Sequence, residues 1–188
     1  MAVTSLDRAL VDALKSGKLD PPGETALAEQ VAWLLPVHWM LPNPGVLALA
    51  DLTKHLGGEA ALYDWLDHHP GRPRTVARTY RLIGLLDRIS DQPAVVTALA
   101  ELREREGDPA GLRGYLVPDT DAATLASLGE QIELLLADDP LEDALQLALS
   151  TVDVLQRLAP RMAELDPSLG SLGEELDQMR RSLAEGGQ

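Results

Sequence analysis

The chain has no cysteine and no phenylalanine among its 188 residues, and only three tyrosines and three tryptophans. Without cysteine, disulfides, thiolate zinc sites and cysteine nucleophiles are excluded, and the redox compartment leaves no mark on the sequence. Without phenylalanine, the core has to be assembled from leucine, valine, alanine and the tryptophans Trp33, Trp39 and Trp65. That composition suits closely packed antiparallel helices with short loops. Lysine is scarce, confined to Lys15, Lys18 and Lys54, so arginine carries most of the positive charge. No segment shows the period-two alternation with β-branched and aromatic enrichment expected of a strand. Walker-type nucleotide loops and Gly-x-Ser-x-Gly elbows are also missing. The first residues, Met1 to Asp12, have neither a basic n-region nor an apolar h-region, and the expectation is a cytoplasmic protein.

What is present is helical punctuation. Leu6, Leu10 and Leu14 follow Thr4 or Ser5 as a cap, and Gly17 stands where that helix should end. Asp20-Pro21-Pro22-Gly23 reads as a turn before a helix bearing Leu27, Val31, Leu34 and Leu35, which Pro36 must kink or stop. Asn43 and Pro44 form a cap and first-position pair for a helix that closes at Gly57 and Gly58. Glu59 to His69 and Arg72 to Ser90 follow, then a helix opened by Pro93 with Gly107 past its end, and an irregular piece around Tyr115. Leu125 to Leu135 and Leu141 to Leu155 mark two more helices, the second halted by Pro160. The last carries Leu169, Leu172, Leu176, Met179 and Leu183, spaced alternately three and four, a narrow seam of the coiled-coil or bundle kind. The length suits one well-buried core. The reading is therefore all-α: a single domain over residues 1–188, a bundle of about seven to nine helices.

Charge is unevenly shared. Up to Asp91 there are nine basic against eleven acidic residues, and beyond it seven against nineteen, within a net charge of -14. All four histidines and all three tryptophans lie in the first, mildly charged half. Against this background Arg74, Arg78, Arg81 and Arg88 recur at helical spacing with no acidic residue between the first and third. At 100° per residue they fall within about 80° of one another. Such a stripe is either a docking surface for an acidic partner or the internal counterpart of the acidic half.

The stretch from Val31 to Ala50 carries no formal charge. Its length suits a membrane span, but Pro36, Pro42 and Pro44 would leave backbone groups unsatisfied in lipid. It reads instead as the most buried part of the core, with a tryptophan or two at a self-association surface, where such residues are enriched.

Three chemical constellations stand beside these readings. Leu49 to Leu56, a glycine turn, Glu59 to His69, a second turn, and then Arg74, Thr75, Arg78, Thr79 and Arg81 are loosely similar to the helix-turn-helix or winged-helix class. That resemblance implies a last helix offering arginines to guanine edges and threonines to phosphates. It covers about a fifth of the chain, lacks a β-wing, and sits on a surface whose net charge repels phosphate. Carboxylates pair at i, i+3 in Glu101/Glu104, Glu130/Glu133 and Glu174/Asp177. This resembles the all-α nucleotide pyrophosphohydrolases and implies a magnesium site, although the gap from Glu133 to Glu174 is longer than that family's and its lysine is missing. His38, His55, His68 and His69 form no recognised metal motif.

The leading reading is a non-enzymatic interaction or regulatory protein that needs no cofactor and no metal. It is a homo-oligomer built through Leu169, Leu172, Leu176, Met179 and Leu183, which pack on another helix of the same chain or of a second copy. Its acidic protein partner, or less readily a nucleic acid, meets Arg74, Arg78, Arg81 and Arg88. An outward stripe requires that Arg78→Glu with Arg81→Glu abolish partner binding and leave circular dichroism and melting unchanged. An internally paired stripe requires a large loss of stability from the same double variant.

Overall fold

The computed structural model describes residues 5–106 and 121–186. Among these the chain is all-helical, with nine α-helices and no strand: α1 (Arg8–Lys15), α2 (Pro21–Leu34), α3 (Asn43–Leu56), α4 (Glu59–Asp67), α5 (Arg72–Ile89), α6 (Pro93–Glu106), α7 (Asp121–Ala137), α8 (Leu141–Leu165) and α9 (Leu172–Gly186). Two 3-10 segments, Leu35–Met40 and Pro167–Leu169, complete the described elements. The piece around Tyr115, and Gly107, lie outside the described residues.

Helix ends follow capping chemistry more closely than they follow leucine spacing. Asp7, not Thr4 or Ser5, caps α1: its carboxylate accepts from the Ala9 amide at 2.9 Å. The helix closes as expected at Gly17, whose φ of 68° lets its amide reach the Leu14 carbonyl and the next amide reach Ala13, at 3.0 and 2.8 Å. Asp20-Pro21-Pro22-Gly23 is not a free turn. Asp20 accepts from the Gly23 amide at 3.0 Å, and the prolines occupy the first turn, where no amide donor is needed. A Cβ on Gly23 would stand 2.7 Å from both the Asp20 carboxylate and the Leu19 side chain, so a larger residue there would push aside the capping carboxylate and Leu19. Gly57 ends α3 in the left-handed region at φ 112°, as its position suggested.

Two compact units make up the chain, Met1–Ala77 and Arg78–Gln188, and the division falls within α5. In the first unit α1 lies on α2, and α3 lies on α4 and on the 3-10 segment 35–40, which also meets α2. Leu27, Val31, Leu34, Leu52, Leu62 and Leu66 are fully buried there. The tryptophans expected to fill the core do not: Trp33 and Trp65 are half-buried, and Trp39 is 59% exposed. In the second unit α8 packs on α6, α7 and α9. Pro160 does not halt this 25-residue helix. Its ring sits on the exposed face, where water can satisfy the Gln156 carbonyl deprived of its donor, and the helix runs on to Leu165.

The terminal seam packs within the chain. Leu172, Leu176 and Leu183 are buried, while Met179 and Leu169 are half-buried, the latter in the 3-10 turn before α9. Leu176→Ala, at a position with no exposed surface, should lower unfolding free energy by about 2–5 kcal/mol in chemical denaturation.

Candidate functional site

The charge-free stretch is divided by its prolines. Val31, Ala32, Leu34, Leu35 and Pro36 are buried, as expected. The expectation of deep burial fails beyond them. Pro36 cannot continue α2, and the chain tightens into the 3-10 segment 35–40. There the ring donors turn back on the local backbone: Nδ1–H of His38 donates to the Leu35 carbonyl at 2.6 Å, and Nε1–H of Trp39 donates to the Pro36 carbonyl at 3.2 Å. With its polar atom satisfied, the indole stays out in solvent, followed by Met40 at 56% exposure. Pro42 is extended and α3 begins behind it. Gly45, Leu49 and Leu52 turn inward, whereas Val46 and Leu47 turn outward, Leu47 at 67% exposure. Four large apolar side chains from nine consecutive residues, 39–47, thus lie open, the kind of grouping that marks an interaction surface.

Leu47 also belongs to an open groove of ≈ 560 Å³ formed by α1 and α3, whose apolar lining is Leu6, Val11, Pro44, Leu47 and Ala48. Arg8, Asp12 and Asp51 complete it. Lys15 donates to Asp51 at 2.6 Å, which holds the aspartate below the usual carboxylate range. Arg8 is exposed and has no ion-pair partner among the described residues. The arrangement offers apolar area, an indole face and balanced charges.

The arginines of α5 do not form one outward stripe. Arg74 donates from Nε to the Asp67 carbonyl at 3.0 Å and lies 3.8 Å from that residue's carboxylate. Arg78, with a side chain 13% exposed, donates to the Ser182 carbonyl on α9 and has Glu185 at 3.9 Å. Arg81 is half-buried. Arg88 is the most open, yet its Nη2 donates to Glu175 at 2.6 Å. Internal acceptors therefore engage Arg74, Arg78 and Arg88: the end of α4 supplies Asp67 to Arg74, and α9 brings its carboxylates and a backbone carbonyl to the rest of α5. Thr75 and Thr79, offered to phosphates in the helix-turn-helix resemblance, are buried in the core.

The carboxylate pairs are likewise engaged. Glu101 accepts two bonds from Arg161, both 2.9 Å; Glu133 accepts from the Tyr80 hydroxyl at 2.8 Å; Asp177 accepts from Arg181 at 2.6 Å. No group of three or more histidine, aspartate or glutamate side chains suited to a metal ion occurs among the described residues. His68 and His69 donate from Nδ1 to the Asp64 and Trp65 carbonyls of α4. No helix of the described residues is long and apolar enough to cross a membrane.

One cluster escaped the spacing argument. Arg72, outside the stripe, is buried: its guanidinium lies 3.7 Å over the Trp33 ring. Trp65 donates to Glu24 at 3.1 Å and meets His69 edge-on at 5.0 Å. Burial pushes the Glu29 carboxyl upward against the opposing pull of Arg72 and His69. The one available signal was a cation in the first turn of α5, where the helix dipole disfavours it.

No protein-family model, curated protein or solved structure matches this chain.

Two measurements check these assignments. Arg78→Glu with Arg81→Glu should cost about 2 kcal/mol or more of stability, seen as a lowered melting temperature, because a charged hydrogen bond to α9 is replaced by repulsion from Glu185. The Arg161 guanidinium holds the Glu101 carboxyl below its ordinary value. Its contribution is therefore present above the unfolded carboxylate range and lost as pH falls through the folded pKa. The stability advantage of the natural chain over Glu101→Gln should be full at pH 7, begin to shrink only as pH falls through the ordinary glutamate range of about 4, and disappear below the lowered folded value.

Proposed function

We propose that this chain is a non-enzymatic helical interaction protein that associates with a second copy of itself through Trp39, Met40, Val46 and Leu47. The observation that carries this reading is that, among the described residues, the three most open large apolar side chains, Leu47, Trp39 and Met40, lie together with Val46 in a segment without formal charge, while Leu134 and Leu165 are exposed elsewhere. With a net charge of -14, two copies repel over most of their surfaces. A neutral apolar face lets them meet while keeping like charges apart. Self-association moves from the terminal seam to this face, since α8 already covers much of that seam. An acidic partner on Arg74, Arg78, Arg81 and Arg88 is the weaker reading, because Arg74, Arg78 and Arg88 donate to acceptors within the chain and Arg81 is half-buried.

Light scattering on the full chain should give twice the chain mass at tens of micromolar. Trp39→Asp with Met40→Asp should give the single-chain mass with an unchanged far-ultraviolet circular dichroism spectrum. A dimer that survives this double variant would move the interface elsewhere.

A further inference from the structure

We infer that the groove between α1 and α3 is the seat for Trp39 of a second copy, exchanged reciprocally so that each copy both gives and receives an indole. This rests on the self-association reading and names what its face docks into.

The giving side is preorganised. The bond from Trp39 Nε1 to the Pro36 carbonyl fixes the ring while leaving it 59% exposed, so little side-chain freedom remains to be lost on docking. No donor is stranded either, since the indole N–H keeps its own acceptor when water is removed.

The receiving side matches an uncharged aromatic. Its floor contains Leu6 and Val11, already buried at 4% and 7% exposure, and its walls contain Pro44, Leu47 and Ala48. Its ≈ 560 Å³ lies within the range of pockets that enclose drug-sized groups. The charges at the groove offset one another: Asp51 is bonded to Lys15, and Arg8 and Asp12 both line the groove. A neutral occupant therefore fits, and the segment carrying Trp39 brings no charge for twenty residues, Val31 to Ala50. Arg8, exposed and without an ion-pair partner among the described residues, supplies a guanidinium for the incoming ring face, and indole is the best side-chain acceptor for such a cation.

Symmetry follows from contiguity. Leu47 is part of both the exposed face and the groove lining, so giver and receiver lie side by side on one surface. Such self-complementary patches close as a twofold pair with two identical insertions.

Sedimentation equilibrium on the full chain tests this with Trp39→Ala, which keeps the groove, and Ala48→Glu, which keeps the indole. Pro44→Glu is a second block at the groove, at a helix start where glutamate is favoured. Each variant alone should dissociate at least about thirtyfold more readily than the natural chain, with circular dichroism unchanged. An equimolar mixture of Trp39→Ala with either groove variant should recover a heterodimer, because one insertion can still form. Arg8→Gln should weaken the dimer about two- to fivefold. If both groove variants dimerise like the natural chain, or if mixing restores nothing, self-association stands and the groove assignment falls. If the natural chain is a monomer at every concentration, both fall. Masses growing beyond two chains would overturn the reciprocal exchange.

Discussion

Cations are scarce in this protein. Thirty carboxylates stand against sixteen lysine and arginine side chains, and each guanidinium near a carboxylate gains more by pairing inside the chain than by waiting in solvent for a partner. Much of the second unit follows from that imbalance. Arg78 and Arg88 join α5 to α9, Arg161 joins α8 to α6, and Arg180 joins α9 to Asp153 on α8. Individually such exposed pairs contribute little. Together they define which helical faces meet, around a leucine core that lacks the specific shapes of phenylalanine.

The same imbalance makes surface charge an obstacle to association. A face through which an acidic chain can meet its own kind has to be free of carboxylates and of cations already tied to them, and the one long stretch without formal charge, Val31 to Ala50, is also where prolines break the helix. Pro36 and Pro42 turn the backbone twice within a few residues, and the hydrophobic side chains between and just after them cannot all reach the core. Exposure of Trp39, Met40, Val46 and Leu47 follows from this local geometry. The hydrogen bond from the Trp39 indole to the Pro36 carbonyl makes that exposed state comfortable.

Much of the architecture was legible in the residues. Gly17 and Gly57 mark helix ends because only glycine enters the left-handed region without strain, and both do so here. Pro93 opens α6 because its missing donor costs nothing in the first turn. Two boundaries depart from the local pattern for the same reason. Pro160 has the position of a stop, yet an exposed face tolerates it, and the prolines after Asp20 have the pattern of a turn, yet they begin a helix. Proline alone does not say which of its permitted positions it occupies. The candidate site was half legible: the absence of charge pointed to residues 31–50, but not to which part of them would remain outside.

The order of residues by itself determined that this chain is helical, how its helices are punctuated and how its charge is divided, since propensity, capping and composition act over a few residues. Whether a given side chain ends inside or outside depends on which helices become neighbours. Only the tertiary structure decided that Arg78 reaches the Ser182 carbonyl, that Leu176 is covered by its own chain and that Trp39 is not. Burial is a property of pairs of elements distant in sequence, and no local pattern records the partner.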